Sequence, residues 1–151
     1  MSTARTLIIQ AVADTITALA LPGIKGVFVR KGERSTAHER YPCIEVSRDE
    51  VPDDSNRFGF AFDAPGYPIR VVYLFTDALG PDAALDKIDD WSQSIARTFR
   101  EPEVLRLRVP TVWNTVIRPL RELDPDDKSY QRVAGGLTLV VSTWEPRGAG
   151  A

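Results

Sequence analysis

The chain has 151 residues, 43% hydrophobic and 26% charged, which predicts a single domain over residues 1–151 and is too short for two. The formal net charge of -2 argues against a main role in coating nucleic acid, because such proteins carry a large basic excess. Cys43 is the only cysteine, which excludes an internal disulfide and a thiolate metal cluster. No apolar stretch approaches the ~20 residues of a membrane-spanning helix, so we expect no membrane association.

The first predicted element is an amphipathic helix near the N-terminus. Ser2 or Thr3 can cap it, and Pro22 with Gly23 ends it. Its apolar stripe is formed by Ile8, Val12, Ile16 and Leu19. One face of this helix must therefore be buried.

Two short strands are predicted next, at 27–30 and around Ile44 and Val46, where apolar residues alternate with Cys43 and Glu45. Their proximity in sequence favours a hairpin. The connection between them is polar, so we expect it to project into solvent or toward a partner. Its charged residues include Lys31, Arg34, His38 and Arg40.

Residues 48–66 predict a projecting arm or loop that contains the sequence FGFAF. Phe58, Phe60 and Phe62 would share one face if this piece were extended. They would then either pack on the domain's own core or insert into a neighbouring subunit.

The strand that follows, GYPIRVVYLF from Gly66 to Phe75, is apolar on both sides. Arg70 is the only polar residue between Ile69 and Phe75. Because alternate side chains point to opposite faces, both faces of this strand need a cover. We expect helices on one face, and an arm or a neighbouring subunit on the other.

A second helix is the clearest element of the chain. Pro81 suits its first turn, Asp82 and Asp86 lie near its N-terminus, and Pro102 ends it. Its predicted buried stripe is Leu85, Ile88, Trp91, Ile95 and Phe99. Asp86 and Asp90 are one turn apart but lack a third ligand, so they predict a solvated face rather than a metal site.

The last third predicts two more strands, TVWNTVIRP and GGLTLVVSTW, followed by a frayed tail at about 146–151. In the first, Trp113, Thr115 and Ile117 alternate with the residues between them. In the second, Leu137, Leu139 and Val141 share a face. The connection between the strands lacks the turn glycine and distal glutamate of a calcium loop. Its charged residues include Arg121, Asp124, Asp126, Asp127 and Lys128.

Catalytic patterns are few in this sequence. It has no phosphate-binding glycine loop and no nucleophile elbow. His38 is the only histidine, and Cys43 on a strand is typical of a small core residue. We therefore expect neither an enzyme, nor a cofactor, nor a metal site.

The order of elements resembles that of the tail terminator, or tail completion, proteins of tailed bacteriophages. The resemblance rests on LIIQAVADTITAL, YPCIEVSRDE, VVYLFTDALGPDAALDKIDDWSQSIARTF and RELDPDDKSYQRVAGGLTLVVSTWE, and covers residues 6–145. It implies an α+β fold with a mixed or mainly antiparallel sheet flanked by two main helices. It further implies a sixfold ring that ends the tail tube and joins the tail to the head. A connector or stopper protein of the same neck region would share this layout.

The resemblance also implies partners and a location. The protein would assemble in the host cytoplasm into the virion neck, where it would contact copies of itself, the tail tube protein and a connector or stopper protein. DNA would only pass through the ring lumen. The aromatic arm would be the subunit interface, and the charged residues of 31–40 and 121–128 would contact the tube or connector.

Two other interpretations remain open. One is a small α/β module that binds a ligand or nucleic acid through the 30–40 loop. The other is an enzyme whose site forms between subunits around His38, Asp124 and Asp126.

Overall fold

The computed structural model has an α+β fold built on a five-stranded sheet, which confirms the predicted fold class. It describes residues 4–30, 42–48, 57–58, 62–64, 66–74, 81–119 and 133–146. The helices are α1 (Ala4–Ala18), α2 (Pro81–Phe99) and α3 (Glu103–Arg106). The strands are β1 (Val27–Val29), β2 (Cys43–Arg48), β3 (Arg57–Phe58), β4 (Phe62–Ala64), β5 (Gly66–Leu74), β6 (Val112–Pro119), β7 (Val133–Thr143) and β8 (Glu145–Pro146).

The main sheet has the strand order β1-β2-β5-β7-β6, so the apolar strand β5 lies at its centre. The pairs β2–β5, β5–β7 and β6–β7 are antiparallel, and β1–β2 is parallel. The sheet is therefore mixed but mainly antiparallel. β1 and β6 form its two edges among the described strands.

The predicted hairpin between the first two strands is wrong. β1 and β2 run parallel, with Val27 beside Ile44 and Val29 beside Val46. Parallel neighbours need a crossover connection of about a dozen residues, whereas a hairpin needs only a few. The segment 30–42 contains enough residues for such a crossover. The short separation of two strands in sequence therefore did not establish that they pair as a hairpin.

One face of the main sheet, here called the helix face, is covered by all three helices. α1 packs over β1 and β2, α2 packs over β7 and β6, and α3 contacts α1, α2 and β6. The buried sheet residues of this face include Ile44, Val46, Ile69, Val71, Tyr73, Leu137, Leu139 and Val141. The predicted shared face of the last three is thereby confirmed.

Both helical stripes follow the sequence pattern wherever their side chains are described; the side chain of Leu85 lies outside that part of the structure. Ile8, Val12 and Ile16 of α1 are buried in the helix-face core, and Leu19 just beyond the helix packs against it. Trp91, Ile95 and Phe99 of α2 are fully buried, with Ile88 partly buried beside them. The two long helices thus contribute apolar stripes to one common core.

The predicted alternation along β6 is interrupted at its start. The register with β7 shifts between Val112 and Asn114, which is the signature of a β-bulge at Trp113. The bulge lets both Val112 and Ile117 contact the helix-face core. Thr115 also lies on this side, where its hydroxyl donates to the backbone oxygen of Phe99.

Two adjacent glycines on β7 lie beside the aromatic centre of the core. Gly135 pairs with Tyr73 and Gly136 with Val72. The Tyr73 ring meets Trp91 edge-on, with centroids 5.7 Å apart, and its hydroxyl lies 3.0 Å from Ser92 Oγ. Trp91 Nε1 in turn donates to the Pro22 carbonyl at 3.0 Å, which ties α2 to the chain after α1.

A second, three-stranded sheet, β3-β4-β8, is here called the β-extension. The pairing of β4 with β8 continues the register of β5 with β7. Gly66 pairs with Ser142, and Asp63, three residues before Gly66, pairs with Glu145, three residues after Ser142. The β-extension is therefore a prolongation of the central ladder past the five-stranded sheet.

Substitution of Gly136 tests the tight approach of β7 to β5. Gly136 has φ +154°, and a Cβ there would lie 2.2 Å from the backbone oxygen of Val71. We expect Gly136→Ala to lower the free energy of unfolding by about 3 kcal/mol. At Gly135 the nearest atom to a Cβ is 3.4 Å away, on Ile88. Gly135→Ala should therefore stay within about 1 kcal/mol of the parent chain in urea unfolding, and equal effects would contradict the close approach.

The buried Tyr73 predicts a loss of stability at alkaline pH. Burial raises the pKa of Tyr73 above its ordinary value of 10.0, and the hydrogen bond with Ser92 only partly opposes this shift. Above about pH 10 the unfolded chain releases this proton while the folded chain keeps it, so the free energy of unfolding falls as pH rises. Tyr73→Phe should cost about 1 kcal/mol at neutral pH through the lost hydrogen bond.

The Tyr73→Phe variant should also show a shallower decline above pH 10. Urea unfolding of both chains across pH 7 to 11 measures the difference in free energy between them. A difference that stays constant over this range would show that Tyr73 does not contribute to the alkaline transition.

Candidate interaction surface

All the charged residues predicted to contact a tail tube or connector lie outside the described residues. This applies to Lys31, Arg34, Arg40, Arg121, Asp124, Asp126, Asp127 and Lys128, and also to His38. Their assignment stays a prediction. The described surface offers three other features: the β-extension, the second face of the main sheet, and a tryptophan pair.

The phenylalanine segment belongs to the β-extension, and one part of its prediction is wrong. β3 and β4 are antiparallel, with Phe58 paired to Asp63. The chain therefore reverses between Phe58 and Phe62, so the two residues belong to different strands. The shared face required a single extended piece, whereas the two strands pair antiparallel. Phe60 lies outside the described residues.

The second face of the main sheet is opposite the helices and begins with a small apolar cluster. Cys43, Val72 and Leu74 are buried there, and Phe28 of β1 packs against them. Cys43 is therefore a core residue, as predicted. Strand β5 is apolar on both faces because it contributes residues to two separate hydrophobic clusters, one on each face of the sheet.

A polar row crosses the same face beside this cluster. The pairing register places Ser47 of β2 beside Arg70 of β5, Arg70 beside Thr138 of β7, and Thr138 beside Arg118 of β6. Cross-strand partners project on the same side with Cβ atoms about 5 Å apart, so the four side chains form one line perpendicular to the strands. Glu45, two residues before Ser47 on β2 and paired with Val72, is buried at 6% exposure on the same face.

Arg70 and Thr138 are not satisfied by the groups around them. The Nε and Nη2 atoms of Arg70 are buried and have no hydrogen-bond partner in the described part of the chain. The Oγ1 atom of Thr138, a residue only 4% exposed, is also buried without one. An unsatisfied buried polar group costs roughly 1–3 kcal/mol, and a charged group costs more. This row therefore lowers the free energy of unfolding unless other groups satisfy it.

A tryptophan pair marks the base of the β-extension. Trp144 lies between β7 and β8, is 45% exposed, and its ring centroid is 5.2 Å from that of Trp113 on β6. The backbone N–H of Trp144 donates to the Thr111 carbonyl at 2.9 Å. Val116, on the second face of β6, is 39% exposed. Together these residues place apolar surface along one edge of the sheet, a feature that the sequence reading missed because only the register reveals it.

The acidic pair of α2 is solvated, as the sequence suggested. Asp86 and Asp90 are both exposed. No group of three or more potential metal ligands comes together within the residues that the structure describes. None of the described helices combines the length and apolar character needed to cross a membrane.

Comparison with protein-family models finds no match to this chain, and comparison with curated proteins finds no significant match.

The contact between Trp113 and Trp144 can be measured as a coupling energy. Aromatic pairs at this distance contribute about 0.5–1.5 kcal/mol beyond the area that they bury. The double variant Trp113→Ala/Trp144→Ala should therefore lose about 0.5–1.5 kcal/mol less stability than the two single variants lose in sum. Leu107, which is 88% exposed, provides the control. Leu107→Ala should be additive with Trp144→Ala in urea unfolding, and additivity in both cycles would mean that the tryptophans do not interact.

Proposed function

We propose that this chain is a structural virion protein of a tailed phage, forming a homo-oligomeric ring that ends the tail tube and joins the tail to the head. The observation that supports this proposal is the β-extension, which prolongs the β5–β7 ladder past the helix-covered sheet. A strand pair anchored in the centre of a domain can hold its tip at a fixed place relative to the core. A ring subunit needs such a feature to reach its neighbour.

Ring formation requires two different patches on each subunit. In a heterologous interface the donating patch of one copy meets the accepting patch of the next, and the ring closes when the rotation between copies allows it. In this proposal the β3–β4 hairpin, with Phe58 and Phe62, is the donating patch. The accepting patch is the β6 edge with Val116 and Trp144.

The accepting patch has the properties that strand addition needs. β6 is the last strand of the described sheet, and an edge strand presents unpaired backbone groups to a partner strand. Val116 and Trp144 add partly exposed apolar area beside that edge. Apolar contacts at the centre of an interface supply most of its binding energy.

Native mass spectrometry over a protein concentration series tests the ring. We expect a sixfold species that grows with concentration, and expect Trp144→Ser or the triple variant Phe58→Ser/Phe60→Ser/Phe62→Ser to reduce it at least tenfold. Leu107→Ser is the matched control, since Leu107 is more exposed than Trp144 but belongs to neither patch. Circular dichroism should show that every variant stays folded.

A monomer at all concentrations would contradict a ring that assembles on its own. That result would favour the alternative function, a small module that binds a ligand or nucleic acid. Salt-dependent DNA binding by the monomer would then distinguish nucleic acid from a small ligand.

A further inference from the structure

We infer that the open edge of β6 binds the backbone of strand β3 from a second copy of the chain, through the N–H and C=O groups of Thr115 and Ile117. This inference rests on the proposed ring and identifies the strands that would join its subunits. β6 is an edge of the main sheet among the described strands, with β7 on its other side.

The direction of the backbone groups on β6 follows from hydrogen bonds at the opposite end of the sheet. In paired strands the N–H and C=O groups of one residue point to one neighbouring strand, and those of the next residue point away from it. The N–H of Ile44 donates to the Gly26 carbonyl at 3.1 Å, and the N–H of Arg30 donates to the Val46 carbonyl at 2.9 Å. The backbone groups of Ile44 and Val46 therefore face β1, and those of Glu45 between them face β5.

This alternation carries through the central strands. Glu45 pairs with Val72, so the backbone groups of Val72 face β2. Those of the preceding residue, Val71, then face β7, where Val71 pairs with Leu137. The backbone groups of Leu137 in turn face β5, and those of the next residue on β7 face β6.

The last step identifies the open groups of the edge strand. Thr138 of β7 faces β6 and pairs with Arg118, so the backbone groups of Arg118 face β7. Those of Val116, which pairs with Val140, also face β7. The N–H and C=O groups of Ile117, and of Thr115 two residues before it, therefore point away from the sheet.

Two features limit the open edge to these two residues. Pro119 lies two residues after Ile117, at a position where its backbone nitrogen also points outward. Proline has no N–H, and an outward position on an edge strand is where a sheet tolerates it. On the other side of Thr115, the register shift at Trp113 interrupts the regular strand. The edge therefore presents one short interval of regular backbone.

β3 is the strand of the β-extension with an open edge. β4 lies between β3 and β8, so both of its sides are paired. Pro146 of β8 pairs with Phe62 but has no N–H to donate, so the backbone groups of Phe62 face β3 and those of Asp63 face β8. Because Phe58 pairs with Asp63, the backbone groups of Phe58 face away from β4.

The two open edges match in length. β3 spans two residues, and the open interval of β6 runs from Thr115 to Ile117. A longer strand would meet the bulge at one end and Pro119 at the other. So short a pairing supplies few hydrogen bonds, so apolar contact with Val116 and Trp144, both partly exposed beside this edge, has to add to it.

Hydrogen–deuterium exchange resolved at single residues tests the pairing. In dilute solution the amides of Thr115 and Ile117 should exchange about 100-fold faster than those of Val116 and Arg118, which are bonded to β7. At concentrations where native mass spectrometry shows the oligomer, exchange at Thr115 and Ile117 should slow about tenfold or more. The Val116 amide is the internal control, because its hydrogen bond is present in both states.

A proline substitution in β3 tests the donor strand. The N–H of Phe58 faces away from β4, so Phe58→Pro removes the group that would bond to β6 and keeps the pairing of β3 with β4. Phe58→Ala removes the same side chain but keeps the N–H, which makes it the matched control. At equal protein concentration, Phe58→Pro should lower the amount of oligomer several-fold more than Phe58→Ala does.

The outcomes separate this pairing from the ring itself. An oligomer in which Thr115 and Ile117 exchange as fast as in the monomer would overturn the pairing and leave the ring in place. Equal effects of Phe58→Pro and Phe58→Ala would exclude β3 as the donor strand and so overturn the inference. Slow exchange of both amides in the dilute monomer would also overturn it, because the edge would then be covered without a second copy. A monomer at every concentration would contradict the ring and the pairing together.

Discussion

The antiparallel ladder between β5 and β7 is the interaction on which the rest of this structure depends. It joins the part of the sheet built from the N-terminal half, β1 and β2, to the edge strand β6. The helix-face core forms around its apolar residues, and the β-extension prolongs it. Gly136 allows the two strands to approach closely, one residue from Gly135, which lies beside the Tyr73 ring where it packs against Trp91. Without this ladder, neither the core nor the proposed interaction surfaces would exist.

The local elements could be predicted from the sequence, and the relations between distant elements could not. The stripe of Trp91, Ile95 and Phe99 repeats at helical spacing, and Leu137 and Leu139 repeat at strand spacing, so periodicity alone assigns both. The parallel direction of β1 relative to β2, and the antiparallel direction of β3 relative to β4, are set by how separate parts of the chain pair. Neither leaves a periodic signal. The fold class was therefore predictable, and the strand topology was not.

The same distinction explains why the polar row on the second face of the sheet could not be predicted from the sequence. Arg70 was visible in the sequence as the one polar residue of an apolar strand, which was a sign of an unusual environment. Thr138 did not stand out in the sequence, because threonine is common in strands. The two residues become neighbours only through the register of strands far apart in the chain. Side-chain rows that cross a sheet are hidden from sequence analysis for this reason, whereas stripes along one helix are not.

The central ladder also has a consequence for how the chain folds. Leu74 pairs with Val133, 59 positions later, and Gly66 pairs with Ser142, 76 positions later. Closing a loop of that length costs conformational entropy before any contact across it is gained, and topologies dominated by such pairings fold in milliseconds to seconds. α2 and the β6–β7 pair are more local and can form earlier. We therefore expect the sheet to close late, so a chain emerging from the ribosome would complete its core only when β7 has been synthesised.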